Sequence, residues 1–294
     1  MPDERLAVRK TYKLFIGGAF PRSESGRSYP VHGPLAGKRG RSLLAFAAQG
    51  SRKDARDAVK AARGAFGGWS GATAYNRGQV LYRVAEMLEG RAAQFAAEVA
   101  AAEGVSQAAA KAQVSAAIDR WVWYAGWPDK VAQVAGSPNQ VAGPYLNVST
   151  PEPTGVVAIL APAAPSLLGL VSVLAPVIAT GNTAVLAASQ DHPLPAITLA
   201  EVLATSDVPG GVVNILTGDQ AELAPVLAGH MDVDAIDVTG AGADTDTAAE
   251  LERLAAGNLK RVFRGGDEDW SADPGTRRLL MFLEIKTVWH PAGI

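Results

Sequence analysis

The sequence contains no cysteine, so it has no thiolate nucleophile, no thiol metal ligand and no disulfide. Few other groups could do chemistry. Four histidines are present, His32, His192, His230 and His290. His230 with Asp232 and Asp234 has the make-up of a metal-binding trio, but alternate carboxylates beside an apolar strand read more simply as a turn. Asp191-His192 could form a carboxylate–imidazole base, yet its place before Pro193 marks it as a helix N-terminal cap. Gly68-Trp69-Ser70-Gly71-Ala72 approaches the strained elbow that exposes a serine nucleophile, but lacks the closing glycine. Trp69 then reads as a packing residue. Trp121, Trp123, Tyr124 and Trp127 read as anchors of helix packing or of an interface rather than as a stacking surface.

Composition narrows the classes of function. The chain has 294 residues, of which 48% are hydrophobic, with 27 Lys and Arg against 29 Asp and Glu. That is enough apolar material for one large domain or two small ones. With a net charge of -2 and no basic stripe, nucleic-acid binding is not expected. The absence of cysteine suits a reducing compartment, and the charged start, Met1-Pro2-Asp3-Glu4-Arg5, has no apolar run behind it. A cytoplasmic location is the expectation. Between Glu152 and Asp191 no residue is charged, but Pro162, Pro165, Pro176 and Gly181-Asn182 break the run into pieces too short to span a bilayer. No membrane association is expected.

The elements that must position any site follow an α/β pattern. Val156–Leu160, Thr183–Leu186 and Val212–Leu216 are mostly apolar, as strands buried on both faces of a parallel sheet are. Leu167–Ala179 fits the crossover helix between the first two, and Pro193–Thr205 a further helix. Ser51 with Asp54 forms a capping box ahead of Ala55, Val59, Ala62 and Phe66 at helical spacing. One long helix is predicted over Arg77–Glu103 and another over Ala108–Tyr124. Asp234–Gly240 reads as a strand and turn, and Thr247–Ala256 as a short helix. Strands alternating with helices predict a Rossmann-like doubly wound parallel sheet.

These segments carry a resemblance. Pro153-Thr154-Gly155-Val156-Val157-Ala158-Ile159-Leu160-Ala161-Pro162, Gly181-Asn182-Thr183-Ala184-Val185-Leu186, Pro209-Gly210-Gly211-Val212-Val213-Asn214-Ile215-Leu216-Thr217-Gly218 and Val238-Thr239-Gly240 resemble the cofactor-binding half of the aldehyde dehydrogenase superfamily. Phe15-Ile16-Gly17-Gly18 resembles that family's opening, and Phe282–Trp289 its last strand. The resemblance implies a cofactor-domain-like core over residues 1–128 and 155–268. It also implies oligomerisation elements over 129–154 and 276–294.

The departures from the family pattern fall on functional positions. In active relatives the loop after the first strand supplies an Asn that helps hold the oxyanion; here Pro162-Ala163-Ala164-Pro165-Ser166 puts Ala164 there, without a donor. Loss of one such donor costs about a hundred- to a thousandfold in rate. The ribose-binding Lys of the family resembles Ala187, and the acidic residue after it resembles Gln190. The Gly-Ser pair at the pyrophosphate resembles Gly240-Ala241, with the hydroxyl gone. The general-base segment is reduced to Arg264-Gly265-Gly266-Asp267, and no catalytic role is carried onto Glu268. Asp267 to about Arg278 leave too little chain for the catalytic lobe and its nucleophilic Cys. The resemblance therefore implies no catalytic residue, no metal, and no cofactor beyond weak NAD or NADP binding.

The assembly strands remain. The family's hairpin resembles Val131–Val141 with Tyr145–Thr150, and the tail, Leu279–Trp289, is expected to alternate with Met281, Leu283, Ile285 and Trp289 on one face. Candidate interface residues are Tyr145, Leu146, Val148, Leu283, Ile285, Val288 and Trp289. An unpaired strand with an apolar face needs a partner edge, and an edge outside the chain is the expectation. The leading reading is a non-catalytic subunit that assembles with a full-length, active aldehyde dehydrogenase, resembling the degenerate second unit of fused two-unit members. Alternatives are a degenerate NAD(P)-binding oxidoreductase module and a stand-alone homo-oligomer.

Overall fold

The computed structural model describes residues 9–34, 40–242, 244–266 and 268–292; the charged start and Asp267 lie outside them. Three strands open the chain: β1 (Thr11–Tyr12), β2 (Ser28–Pro34) and β3 (Arg41–Ala48) form a small sheet with β3 in the middle. Four helices follow, α1 (Arg52–Ser70), α2 (Ala74–Glu89), α3 (Ala92–Glu103) and α4 (Gln107–Ala125). After the short α5 (Val131–Ala135) come β4 (Ser137–Asn139) and β5 (Tyr145–Pro153).

The second half alternates. β6 (Val156–Leu160), α6 (Leu168–Ala179), β7 (Thr183–Ala187), α7 (Leu194–Ala204), β8 (Val213–Leu216), α8 (Gln220–Gly229) and β9 (Ala235–Asp237) run in sequence. They lead to α9 (Thr245–Ala255), β10 (Arg261–Phe263), α10 (Arg277–Met281) and β11 (Leu283–Pro291). Five strands make one parallel sheet in the order β10-β9-β6-β7-β8. Every residue of β6, β7, β8 and β9 is buried. That explains their predominantly apolar runs, since helices cover both faces; the buried exceptions are Thr183, Asn214 and Asp237.

Several local signals hold to the atom. Ser51 and Asp54 close a capping box. The buried Asp54 also accepts from the Ser23 hydroxyl at 2.7 Å and the Glu24 N–H at 3.1 Å, tying β2's approach to α1. Trp69 is buried and its indole N–H donates to the Ile178 carbonyl. Trp121 and Tyr124 are core residues, and Trp123 packs edge-on against Tyr124 and tilted against Trp127. Gly17 and Gly18 meet the Pro-Gly-Gly turn: a Cβ on Gly18 would lie 2.9 Å from the Gly210 Cα, and the Gly17 N–H donates to Asn214. The two glycine motifs are thus halves of one contact.

Other expectations need correction. The single helix over Arg77–Glu103 is two, α2 and α3, broken at Gly90. Val131–Ala135 is helical, so only β4 and β5 form the hairpin. Asp191-His192 does not cap α7; Pro193 stands at its N-terminus with no side-chain cap, and the His192 N–H donates to Ser189. His230 and Asp232 make the expected turn, the Asp232 N–H donating to Nδ1 of His230. Asp234 instead pairs with Arg63 and accepts from the Val156 N–H. Among the described residues no metal-binding group of carboxylates and histidines occurs, and no helix is long and apolar enough to cross a membrane.

The tail also differs. Leu279 lies in α10 and is buried with Phe282 and Leu283, so the strand begins at Leu283. β11 pairs antiparallel with β5 of the same chain along its whole length, from Leu283 opposite Pro153 to Pro291 opposite Tyr145. The expected outside edge is therefore not required to satisfy it. Asp54→Ala should lower stability by about 1–2 kcal/mol, since it removes half of the capping box and one of the partners of the buried Ser23 hydroxyl. Urea unfolding should show this as a lower midpoint at unchanged slope.

Candidate functional site

Strand order reverses between β6 and β9, and in open parallel sheets the crevice at such a switch point, outside the carboxyl ends of the strands, is where ligands bind. Four segments converge there. The loop after β6 leaves Ala164 exposed, while Ser166 turns inward and donates from its N–H and hydroxyl to one oxygen of Glu103. Ala187 ends β7 with its methyl group in the core. Gln190 is exposed three residues on and makes no side-chain hydrogen bond among the described residues. Ala164 and Ala187 carry no side-chain donor, whereas the exposed Gln190 has an amide.

A residue without any motif occupies the centre. The Gln220 side-chain amide nitrogen, at the first turn of α8, lies 3.1, 3.0 and 3.1 Å from the carbonyl oxygens of Ala161, Ala187 and Ala188. It bridges the ends of β6 and β7, adding to the Ala161 N–H bond that the Ala187 carbonyl already accepts.

After β9 the chain makes one 3-10 turn over Thr239–Ala241. A Cβ on Gly240 would fall 2.5 Å from the Ala161 carbonyl oxygen, so this glycine is required by the packing of two loops. Ala241 lies at the edge of a groove of about 420 Å³ between α8 and α9. Leu160, Ala224, Pro225, Ala241 and Leu251 make it apolar, and Asp246 and Glu250 stand on its rim. The N-terminus of α9 is not free. Asp244 caps it, accepting from the N–H groups of Asp246 and Thr247 at 3.1 Å each and from the Thr247 hydroxyl at 2.6 Å. The Thr247 hydroxyl holds the Asp244 carboxyl below its usual range.

Arg278 closes the β9 side. Its guanidinium donates to Asp237 at 2.6 Å, to Glu268 at 2.8 Å and to the Thr239 hydroxyl at 3.1 Å. It also stacks over Phe263 and Trp270. Arg120, on α4, donates to the carbonyls of Trp270 and Ala272. Glu268 is thus held in an ion pair and does not face open space as a base would. Burial pushes the Asp237 carboxyl up, opposed by the Arg278 charge and by two bonds from Thr239.

Of the candidate site residues only Ala241 lines the groove; Gly240 packs against the loop after β6, and Ala164, Ala187 and Gln190 do not line the groove. Of the interface candidates, Leu283 is buried in the chain's own core, while Val148 and Val288 face one another across β5 and β11 and are half-buried. Tyr145, Leu146, Ile285 and Trp289 are exposed, by 46 to 55%. Sequence reasoning missed α8, Gln220, Asp244 and the Arg278 cluster. Asp219 and Asp244 ahead of helical runs were available signals; Arg278 carried none.

A doubly wound five-stranded parallel sheet with a switch-point crevice, beside a three-stranded sheet made of hairpin and tail, defines the class as a Rossmann-like α/β domain of the dinucleotide-binding type. Residues 21–265 match the model of the aldehyde dehydrogenase family, and the chain belongs to that family. It is 34% identical over 265 residues to cytosolic 10-formyltetrahydrofolate dehydrogenase of Mus musculus, covering 88% of this chain and 28% of that protein. It is 35% identical to aldehyde dehydrogenase family 2 member B4, mitochondrial, of Arabidopsis thaliana, covering 85% and 45%. Among solved structures it superposes on HpcC from Thermus thermophilus, with a TM-score of 0.80, 32% identity, and 88% and 49% of the two chains. It also superposes on the NAD+ complex of a Bacillus cereus aldehyde dehydrogenase (TM-score 0.78, 28% identity, 86% and 50%). The chain spans about half the length of these aldehyde dehydrogenases.

The groove suits the flat ring of a dinucleotide, but the phosphates do not fit. The helix N-terminus that would receive them already holds the Asp244 carboxylate, and no lysine stands at Ala187. Arg278→Met should cost about 3–5 kcal/mol, because it strands a buried carboxylate. Asp237→Asn in that background should restore part of the loss. A carboxyl whose folded-state proton affinity is raised is tolerated best in its protonated form. Its penalty is absent below the ordinary carboxylate range and grows as pH rises through the folded-state value. Urea titrations of Arg278→Met should therefore show a larger deficit at pH 8 than at pH 5, and Arg278→Met with Asp237→Asn no such trend.

Proposed function

We propose that this chain is a non-catalytic member of the aldehyde dehydrogenase family that assembles with an active, full-length aldehyde dehydrogenase and stabilises or regulates it. The sheet β11-β5-β4 carries this reading. It is complete within the chain, yet β11 is an edge strand with no neighbour on its outer side among the described residues. Ile285 and Trp289 project from that edge strand, and Tyr145 packs edge-on against Trp289 with the two ring centres 5.8 Å apart. An exposed edge with apolar side chains is a template for strand addition by another chain.

The site supports the same reading. Its loop presents Ala164 where a side-chain donor would be needed, and residues 264–282 link β10 to α10 and β11 directly, across the Arg278 cluster. The sequence has no cysteine to form a thiohemiacetal. A second reading, a degenerate NAD(P)-binding oxidoreductase module, draws on the groove between α8 and α9 and on the NAD+ complex among the similar structures. Asp244 weighs against it.

Co-expression with a full-length aldehyde dehydrogenase encoded beside it, followed by native mass determination, tests the proposal. A mixed complex is expected. Ile285→Asp with Trp289→Asp should abolish it without lowering the unfolding temperature, since both positions are exposed. A monomer or self-dimer indifferent to that enzyme would refute the reading.

A further inference from the structure

A cavity of about 80 Å³ lies beside the Arg278 cluster, between α4 and α6 and the segment that leads into α10. That is room for a few waters or one small ligand. Its inner wall holds donors that lack acceptors. The Tyr124 hydroxyl and the Nε of Arg278 are both shielded from water and make no hydrogen bond among the described residues. The charges of Arg120, Arg278, Glu268 and Asp273 all act on that hydroxyl, which places it among the groups of the cavity wall. Burial raises the Tyr124 pKa to about 12, so the hydroxyl keeps its proton at neutral pH. Arg120, only 8% exposed, uses one terminal nitrogen on the carbonyls of Trp270 and Ala272 and has no ion pair among the described residues. A buried guanidinium without a counter-ion is costly, and an anion beside it would relieve that cost.

The acceptors in the lining are committed elsewhere. Glu268 is held by Arg278, the Asp269 carboxylate by the Ser271 hydroxyl and N–H, and that of Asp273 by the Gly275 N–H. Asp269 and Asp273 are exposed, so water screens their charges. The inner wall is therefore matched by a ligand that only accepts, and the planar fork of Arg120 suits a carboxylate. Three arginines against three carboxylates in the lining favour one negative charge over two. We infer that this cavity binds a small monocarboxylate, of acetate size, whose oxygens accept from Arg120, the Tyr124 hydroxyl and the Nε of Arg278.

Calorimetric titration of the whole chain with acetate, chloride, sulfate and acetamide at one ionic strength tests this. A ligand of four heavy atoms is limited to a dissociation constant of about 0.05 mM or weaker. Acetate is expected to bind in about the millimolar range, at least about tenfold more tightly than the other three, and to raise the unfolding temperature as it saturates. Tyr124→Phe deletes a hydroxyl that has no partner, so without acetate it should unfold at the wild-type temperature or above, yet bind acetate at least about tenfold more weakly. Arg120→Gln keeps an amide for the two carbonyls and should lose the preference for acetate over acetamide. The inference is overturned by no acetate binding at tens of millimolar, by chloride, sulfate or acetamide binding as tightly as acetate, or by either variant binding as the wild type does. None of these outcomes bears on assembly through β11.

Discussion

Arg278 and Asp237 form an ion pair in which both side chains are shielded from water, at 6% and 0% exposure. Such a pair is tolerated only when both charges are satisfied, because either one alone in that environment is costly. Asp237 ends β9 and Arg278 lies in the first turn of α10, so the pair fastens the returning chain to the carboxyl end of the sheet. Its second partner, Glu268, and the stacked rings of Phe263 and Trp270 hold the connecting segment in the same place. From there Phe282 follows, and its carbonyl accepts from both the Asn182 side chain and the Thr154 N–H. That carbonyl sets the register in which β11 lies against β5. The five-stranded and the three-stranded sheets are thereby joined through one buried cluster.

At the same end of the sheet, polar groups are paired within the chain beside an open apolar groove. Backbone geometry at the switch point is kept, including the close approach of Gly240 to the loop after β6. What differs is side-chain supply: Gln220 satisfies the strand-end carbonyls from within, and Asp244 satisfies the amides of α9. The apolar groove beside them persists because its walls belong to the core contacts of α8 and α9 with β6.

Strands β6, β7 and β8 were legible because burial on both faces leaves mostly apolar residues, and α1 because its capping box is a local motif. The break between α2 and α3 was hidden, since the apolar spacing continues past Gly90 and that glycine is compatible with a helix interior. Val131–Ala135 was misread as strand because five residues carry too little periodicity to separate the two states. Helix α8 escaped notice behind Pro225, although Asp219 caps it. At the site, the losses at Ala164, Ala187 and Ala241 were readable from spacing against a known pattern. Arg278 was not, because a charged residue in a polar stretch looks like a solvated one until its partners are located.

By itself the sequence determined the kind of fold, since local apolar patterning dictates buried strands. It also marked the hairpin and tail as strands in search of an edge. Only the tertiary structure decided which edge that was. Hydrogen-bond pairing between residues more than a hundred positions apart depends on where the core delivers them, and α10 with Arg278 delivers β11 to β5 of the same chain. Tertiary contact likewise decided that polar groups at the crevice are paired within the chain, because Gln220 and Asp244 acquire their roles from neighbours that no local pattern specifies.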